Sequence, residues 1–288
     1  MIVVIIGPTG IGKTKLSLSL AKKYNAEIIN ADAIQIYKEM NIGTAKVTDT
    51  ENIPHHLLSI KSVKDNYSVY EYQKDGREIL NKLISQNKNI IIVGGTGLYI
   101  KALLYDYKFN TEETCETYDN LTNEEILTEI NKLGTTNVHV NNRKRLIRTL
   151  NRLKNNNIEE ISGNNLLYDN VYFVGLTTER SVLYDRINKR VDEMVEEGLI
   201  EEVKELYDKG INTIPINTAI GYKELYKYFD GSISLEESID LIKRNSRRYA
   251  KRQYTWINNK MDVKWFNVNI NDFDKTIFEV EEYIKTSY

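Results

Sequence analysis

The chain has 288 residues, a formal net charge of −2, 41% hydrophobic residues and 28% charged residues. These values are typical of a soluble globular protein, and no apolar run approaches the roughly 20 residues that a bilayer-spanning helix needs, so we expect no membrane partner. The single cysteine, Cys115, excludes an internal disulfide and favours a reducing compartment, which predicts a cytoplasmic protein.

The first third of the chain alternates predicted strands and helices. Residues 2–6 form a short apolar run that leads directly into glycines without the basic leader of a signal peptide, so we predict a buried strand followed by a helix. A second strand is expected at 27–30, a helix at 69–83, and a β-branched strand at 89–93. This alternation predicts an α/β fold with a P-loop NTPase-like parallel sheet core flanked by helices.

From residue 108 the composition changes. Asn and Thr are abundant as far as residue 167, a capping-box pattern runs from Thr122 to Glu125, and a second helix is expected at 142–153. The earlier pattern resumes with a strand at 171–176, helices at 179–209, 219–229 and 234–257, and a last strand at 263–266 before a terminal helix. We therefore predict a catalytic core at 1–107 and 168–288, with an inserted small helical subdomain at 108–167.

The loop after the first strand matches the phosphate-binding pattern G-x-x-x-x-G-K-[ST] in the required strand-to-helix context. Its glycines let the backbone wrap around phosphate oxygens, its amides and the helix N-terminus supply positive potential, Lys13 adds a charge, and Thr14 can hold Mg²⁺. The predicted phosphate-binding residues are Gly7, Pro8, Thr9, Gly10, Ile11, Gly12, Lys13 and Thr14.

The pattern alone leaves open which phosphate compound is bound. ATPases and kinases place a carboxylate after another core strand to help hold Mg²⁺, whereas the strand at 90–93 is followed by the glycine-rich sequence GGTG. Ordinary nucleotide hydrolysis is therefore disfavoured, although a small P-loop kinase stays open. Asp32 is a candidate general base because we expect the second strand to lie beside the first; a turn-forming or helix-capping aspartate is the alternative.

An ordered series of motifs resembles the tRNA dimethylallyltransferases along nearly the whole chain. Besides the phosphate loop, the matching segments are DAIQIY at 32–37, IGTAK at 42–46, PHHL at 54–57, GGTGLY at 94–99, RKRLIR at 143–148, RINKR at 186–190, AIGY at 219–222 and KRQYTW at 251–256. A P-loop alone is common to many families, whereas this ordered set is specific.

The resemblance implies an activity: transfer of a dimethylallyl group from dimethylallyl pyrophosphate, with Mg²⁺, to an adenosine of tRNA. The target is the exocyclic amine of the adenosine 3′-adjacent to the anticodon, in tRNAs that read codons beginning with U. The anticodon stem-loop and the donor would enter a channel from opposite ends of the enzyme, and we expect a monomer.

The resemblance also implies roles for individual residues. Asp32 matches the general base and Arg190 an arginine near the pyrophosphate; with Lys13 and Thr96 they form the expected catalytic set. The positions that match tRNA-facing residues are Asp32, Ala33, Ile34, Gln35, Thr96, Lys144, Arg145, Leu146, Ile147, Arg148, Thr218, Ala219, Ile220, Gly221, Tyr222, Lys223, Lys251, Arg252, Gln253, Tyr254, Thr255 and Trp256. Two places depart from the family pattern: Ala33 replaces the usual Ser, and residues 139–142 read HVNN instead of HPND.

Basic residues support an RNA partner independently of the resemblance. Arg145, Arg148 and Arg152 recur at helical spacing, and a second basic stripe follows at 244–252. Such stripes suit RNA phosphates, but each could also be an ordinary solvated face. His55 and His56 have no further Cys or His nearby, so we expect a structural or substrate-orienting role instead of a zinc site.

The resulting hypothesis is a prenyl transfer in which the target adenosine is flipped into the core and Asp32 accepts the proton of its amine. Lys13, Mg²⁺ on Thr14, and Arg190 would stabilise the departing pyrophosphate. Three alternatives stay open: a small-molecule P-loop kinase, an isopentenyltransferase acting on free adenine nucleotides, and a non-catalytic RNA-binding module.

Overall fold

A computed structural model of the chain describes residues 1–109, 116–154 and 164–286. The chain divides into two compact units: Met1–Leu104 with Tyr168–Tyr288, which we name the core unit, and Tyr105–Leu167, which we name the inserted unit. Cys115 lies outside the described residues. Within the described ranges, no helix is both long and apolar enough to cross a bilayer.

The core unit is built on a six-stranded parallel sheet, which confirms the predicted fold class. In chain order the strands are β1 (Ile2–Ile6), β2 (Ala26–Asn30), β3 (His55–His56), β4 (Asn89–Gly94), β5 (Val171–Thr177) and β6 (Lys264–Asn267). β1 is buried along its whole length, as expected for an aliphatic run inside a parallel sheet that is covered on both faces. The two-residue strand β3 lacks the length and apolar pattern by which a strand is predicted from sequence.

The strand order is β3-β2-β4-β1-β5-β6, and it corrects one expectation. β4 lies between β1 and β2, so the end of the second strand does not adjoin the phosphate loop directly. The register pairs Ile6 with Gly94 and Asn30 with Val93, which places Gly94 and Gly95, at the end of β4, between the phosphate loop and Asp32.

The helices begin and end close to the predicted limits, with four exceptions. In the core unit they are α1 (Lys13–Tyr24), α2 (Val69–Ser85), α3 (Gly97–Leu104), α6 (Arg180–Glu196), α7 (Leu199–Asp208), α8 (Ile214–Thr218), α9 (Tyr222–Phe229), α10 (Leu235–Lys260) and α11 (Phe273–Thr286); the inserted unit has α4 (Asn123–Leu133) and α5 (Arg143–Lys154). The helix predicted at 179–209 is two helices, because Gly198 adopts a left-handed φ of 103° before α7. The segment at 219–229 becomes helical only at Tyr222. Two short helices, α3 and α8, were not predicted.

The inserted unit is held together by its own small core. Ile126 and Ile130 of α4 pack with Leu146 and Leu150 of α5. The capping box that begins at Thr122 is present, with reciprocal hydrogen bonds between the side chains and backbone N–H groups of Thr122 and Glu125.

Candidate active site

The phosphate loop closes around the ammonium group of its own lysine. Lys13 is the first residue of α1, and its Nζ donates hydrogen bonds to the carbonyl oxygens of Gly7 (3.0 Å) and Pro8 (2.9 Å). The loop can turn this tightly because Gly10 and Gly12 have φ angles of 79° and 109°, which residues with a side chain rarely adopt. The positive charge of Lys13 therefore lies inside the loop before any anion binds.

Burial lowers the pKa of Lys13 to about 8. Loss of water around the ammonium group is the main cause; the Asp32 carboxylate opposes the shift, and the Arg190 guanidinium adds to it. A negatively charged ligand in the loop would reverse the effect by stabilising the charged amine. The free loop is therefore short of negative charge, which favours anion binding.

Helix α6 directs two arginines, one turn apart, at the phosphate loop. Arg186 Nε donates to the carbonyl oxygen of Gly10 at 3.0 Å, and Arg190 Nη1 donates to Thr9 Oγ1 at 3.2 Å. Burial lowers the pKa of Arg190 while Asp32 opposes that shift, yet a guanidinium titrates so high that it keeps its charge. Of the two, only Arg190 is among the site residues predicted from the sequence, although their spacing of four residues on one helix face was a usable signal for Arg186 as well.

The two oxygens of the Asp32 carboxylate have different surroundings. Oδ1 accepts hydrogen bonds from the backbone N–H groups of Ile34 (3.0 Å) and Gln35 (3.4 Å), as in an Asx turn. Oδ2 is turned toward the glycine pair, and a Cβ on Gly95 would lie 3.9 Å from it. The turn-forming role proposed as an alternative is therefore real, and it leaves the second oxygen for chemistry.

The glycine pair at the end of β4, Gly94 and Gly95, brings the Asp32 loop close to the rest of the site. A Cβ on Gly94 would lie 2.1 Å from the carbonyl oxygen of Ala31, so only glycine permits this contact. The next residue, Thr96, donates its N–H to that same oxygen at 3.2 Å and accepts the N–H of Ala33 on Oγ1 at 3.1 Å. Thr96 thus holds the backbone on both sides of Asp32.

The phosphate loop, Asp32 and the two arginines of α6 line one cavity of about 390 Å³ in the core unit. Its charged and polar lining includes Thr9, Lys13, Thr14, Asp32, Arg186, Lys189, Arg190, Glu193, Tyr249 and Gln253. Aliphatic residues line it as well, namely Ile28, Ala45, Val47, Leu58 and Val93. A cationic loop together with an aliphatic wall suits a small ligand that has a diphosphate head and an apolar tail.

Comparison with known proteins identifies the family to which this arrangement belongs. The family model described as IPP transferase matches residues 35–260. A tRNA dimethylallyltransferase of Anoxybacillus flavithermus is 45% identical over 307 residues, covering 100% of this chain and 97% of the relative. One from Bacillus cytotoxicus is 48% identical over 302 residues, covering 99% and 94%.

The chain belongs to the IPP transferase family.

Solved structures of this family have the same fold. The tRNA isopentenylpyrophosphate transferase of Bacillus halodurans superposes with a TM-score of 0.77 at 41% identity, covering 99% of this chain and 95% of that one. A eukaryotic dimethylallyltransferase acting on tRNA gives a TM-score of 0.82 at 26% identity, covering 97% and 77%.

The possible metal ligands of the site suit a Mg²⁺ ion that is bound mainly by groups outside the protein. Among the described residues there is no cluster of three or more His, Cys, Asp or Glu side chains that could hold a metal. Thr14 lies exposed in the first turn of α1, directly after Lys13. A hydroxyl at this place suits an ion that binds mainly through ligand phosphates and water, which is the usual behaviour of Mg²⁺.

Several residues at tRNA-facing positions of the family have buried side chains here. Tyr222 is fully buried, and Ala219 and Gly221 are buried beside it. The Tyr222 hydroxyl donates to Glu202 Oε1 at 2.6 Å, and the same carboxylate accepts the N–H groups of residues 41, 42 and 43. The Tyr222 side chain therefore supports the IGTAK loop, and its contact with tRNA stays a prediction. Thr218 is exposed, whereas Ile220 and Lys223 are half-buried.

Helix α10 exposes only part of the KRQYTW segment. Lys251, Arg252 and Thr255 are exposed. Tyr254 hydrogen-bonds through its hydroxyl to Thr177 Oγ1 at 2.9 Å and packs against Trp265, while Gln253 and Trp256 turn toward the glycine-rich segment after β4. The side chains of residues 253, 254 and 256 therefore belong to the packed side of the helix.

Near Asp32, the predicted tRNA-facing residues are half-buried. They are Ala33, Ile34 and Gln35, and Gln35 Nε2 donates to the carbonyl oxygen of Thr44 at 3.0 Å while the residue lines the cavity. Gln35 thus joins the Asp32 loop to the IGTAK loop. His55 also lines the cavity, with its Nδ1 2.8 Å from the carbonyl oxygen of Ile53, and burial lowers the pKa of this imidazole.

In the inserted unit, α5 has one exposed basic face. Lys144, Arg145 and Arg148 are exposed, Ile147 is half-buried, and Leu146 lies in the core of the unit. Arg143 is engaged within the unit: its guanidinium donates to the carbonyl oxygens of residues 118 and 121. The basic stripe that is free for a partner is thus narrower than the sequence RKRLIR.

Proposed function

We propose that this protein transfers a dimethylallyl group from dimethylallyl pyrophosphate to the exocyclic amine of the adenosine 3′-adjacent to the anticodon. The substrates would be tRNAs that read codons beginning with U, and the product would contain isopentenyladenosine. One observation carries the proposal: in a member of the IPP transferase family, a single cavity contains Lys13 of the phosphate loop, Arg190 and Asp32.

The donor pyrophosphate is assigned to residues 7–14 because this loop offers Lys13, the helix N-terminus and the flanking Arg186 and Arg190. In the transfer, the bond between the first carbon of the isoprenoid and the ester oxygen of the pyrophosphate breaks. A bond between the same carbon and the amine nitrogen forms. Negative charge then grows on the departing pyrophosphate, where the lysine and arginine charges stabilise it. When bound through Thr14, Mg²⁺ would neutralise part of the same charge.

We assign to Asp32 the role of accepting the proton that the attacking amine loses. Its Oδ1 is held by two backbone N–H groups, so the carboxylate cannot rotate freely, and Oδ2 remains as the acceptor. Thr96 and Gln35 fix the loop on which Asp32 lies. A base that is held in place before the substrate arrives reduces the entropy lost in reaching the transition state.

The tRNA is assigned to the exposed basic residues of α5 and to Lys251 and Arg252 of α10. The target base must leave the stack of the anticodon loop to reach a buried cavity, so base flipping belongs to the proposal. We place the activity in the cytoplasm and assign it to a monomer.

The decisive test is mass spectrometry of nucleosides from tRNA incubated with the protein, Mg²⁺ and dimethylallyl pyrophosphate. We expect isopentenyladenosine in digests of tRNAs that read codons beginning with U, and no product when ATP replaces the donor. Phosphate transfer from ATP would support the kinase alternative. Prenylation of free adenine nucleotides in preference to tRNA would support the nucleotide isopentenyltransferase, and no product with any acceptor would support a binding module.

A further inference from the structure

The side chain of Gln253 bridges two loops that lie on different sides of the site. Its Oε1 accepts the backbone N–H of Thr9 at 2.9 Å, and its Nε2 donates to the carbonyl oxygen of Gly95 at 3.0 Å. The partners are a backbone donor and a backbone acceptor, so only one orientation of the amide satisfies both. Gln253 is 5% exposed, which makes both hydrogen bonds costly to lose.

Two close approaches fix the position of this amide. A Cβ on Gly95 would lie 2.2 Å from Gln253 Nε2, and a Cβ on Gly97 would lie 2.1 Å from the Trp256 ring. Helix α10 therefore packs against the GGTG segment at two successive points, where a side chain in place of either glycine would displace Gln253 or Trp256. The Tyr249 hydroxyl, one turn earlier on the same helix face, interacts with the side chains of Thr96 and Gln253.

The two loops that Gln253 joins carry the opposite partners of the proposed reaction. Thr9 belongs to the phosphate loop, and its hydroxyl accepts a hydrogen bond from Arg190. Gly95 precedes Thr96, whose Oγ1 holds the backbone next to Asp32. The buried amide of Gln253 thus links the loop assigned to the leaving group to the loop that carries the base.

We propose that Gln253 is a positioning residue that sets the phosphate loop against the Asp32 loop, and that it makes no contact with tRNA. This inference rests on the proposed function for its consequence in catalysis. Misplacement by about 1 Å between reacting groups can slow a reaction by about a hundredfold, so loss of the bridge should affect donor binding and turnover together. RNA affinity should be unaffected, since the exposed Lys251 and Thr255 lie about 200° around the helix from Gln253.

The first test compares Gln253→Met, which keeps length but removes both hydrogen bonds, with Lys251→Met on the exposed side of the same helix. Calorimetry with inorganic pyrophosphate measures the phosphate loop, filter binding measures tRNA, and single-turnover prenyl transfer measures the reaction. For Gln253→Met we expect pyrophosphate affinity about tenfold weaker, transfer slowed about tenfold to a hundredfold, and tRNA affinity within about twofold of the unchanged protein. Lys251→Met should show the reverse pattern, with weaker tRNA binding and unchanged pyrophosphate affinity.

Weaker tRNA binding with unchanged pyrophosphate affinity in Gln253→Met would overturn the inference and assign Gln253 to tRNA binding. Unchanged values in all three assays would overturn it as well. Because the pyrophosphate assay does not require prenyl transfer, it tests the bridge even if the unchanged protein fails to modify tRNA, which would count against the proposed function alone.

A second variant keeps the test valid if Gln253→Met does not fold. The carboxyl group introduced by Gln253→Glu accepts from Thr9 in either state, but it can donate to the Gly95 carbonyl only when protonated. Relative to the unchanged protein at the same pH, Gln253→Glu should therefore be impaired at about pH 8.5 and recover toward about pH 6. A deficit that does not change with pH, in a variant shown to be folded by circular dichroism, would contradict the bridge.

Discussion

The cavity of the core unit and helix α5 of the inserted unit both concentrate positive charge, yet they hold it in different ways. In the cavity, Lys13 is bound to two backbone carbonyls and Arg190 to a threonine hydroxyl, and burial lowers the pKa of each. On α5, Lys144, Arg145 and Arg148 are exposed. Fixed, poorly hydrated charges give directional stabilisation that salt screens weakly, whereas exposed charges give an attraction that falls with ionic strength. The first arrangement suits a reacting pyrophosphate and the second a polynucleotide.

The largest expected effect concerns the base that lies opposite the buried cations. Asp32→Asn keeps an oxygen that can accept the N–H groups of Ile34 and Gln35, so the turn should persist. It cannot accept a proton as a carboxylate does, and we expect single-turnover transfer to slow by about 10² to 10⁴ with tRNA binding unchanged. Near-normal turnover at saturating donor and tRNA would leave Asp32 with its turn-forming role alone.

Lys13→Ala should show that the buried cations of the cavity bind the donor and that the exposed cations of α5 bind tRNA. It removes the charge inside the phosphate loop and leaves α5 untouched, so donor affinity should fall by about ten- to a hundredfold while tRNA affinity stays the same. Calorimetry with pyrophosphate and filter binding with tRNA measure the two quantities. An equal loss in both assays would mean that the loop does not serve the donor specifically.

The pH dependence of donor binding should follow from the burial of Lys13. Its pKa of about 8 lies below the ordinary 10.5, so in the free protein the amine loses its proton as the pH rises through about 8. Pyrophosphate affinity should therefore decline above about pH 8, by at most about tenfold per pH unit, relative to the affinity of Lys13→Ala measured at the same pH. Between about pH 8 and 10.5, Lys13 is protonated in the unfolded chain but largely deprotonated in the folded protein. The unfolded chain therefore binds more protons, so this group makes the free energy of unfolding rise with pH over that window. A decline of the same size in Lys13→Ala would assign it to another group.

The smallest expected effect is the loss of exposed charge from α5. Changing Arg145 and Arg148 together to Ala should weaken tRNA binding severalfold at moderate salt and reduce the slope of log affinity against log salt by about 2. Turnover at saturating tRNA should stay the same.

A charge-matched control for that pair is available on the core unit. Lys204 and Lys209 pair with Asp208 and Glu205 on an exposed surface, and their joint change to Ala removes the same net charge. We expect this control to leave the salt slope unchanged. Equal slopes for the two double variants would make α5 an ordinary solvated face.

Local signals in the sequence determined much of this protein. An aliphatic run before a glycine loop determined β1 and the phosphate loop, and the Thr122 capping box determined the start of α4. These features depend on neighbours within a few residues, which is why pattern and spacing predict them. The ordered motifs likewise indicated the family, which the comparisons confirm.

Only the tertiary structure decided the strand order and the direction of the polar side chains. The insertion of β4 between β1 and β2 depends on pairing between residues some 60 to 90 positions apart, which no local pattern encodes. Gln253 and Tyr222 match tRNA-facing positions of the family, yet both side chains turn inward. They do so because Thr9, Gly95 and Glu202 supply the hydrogen-bond partners that make burial of a polar group favourable, and these partners come together only in the folded chain.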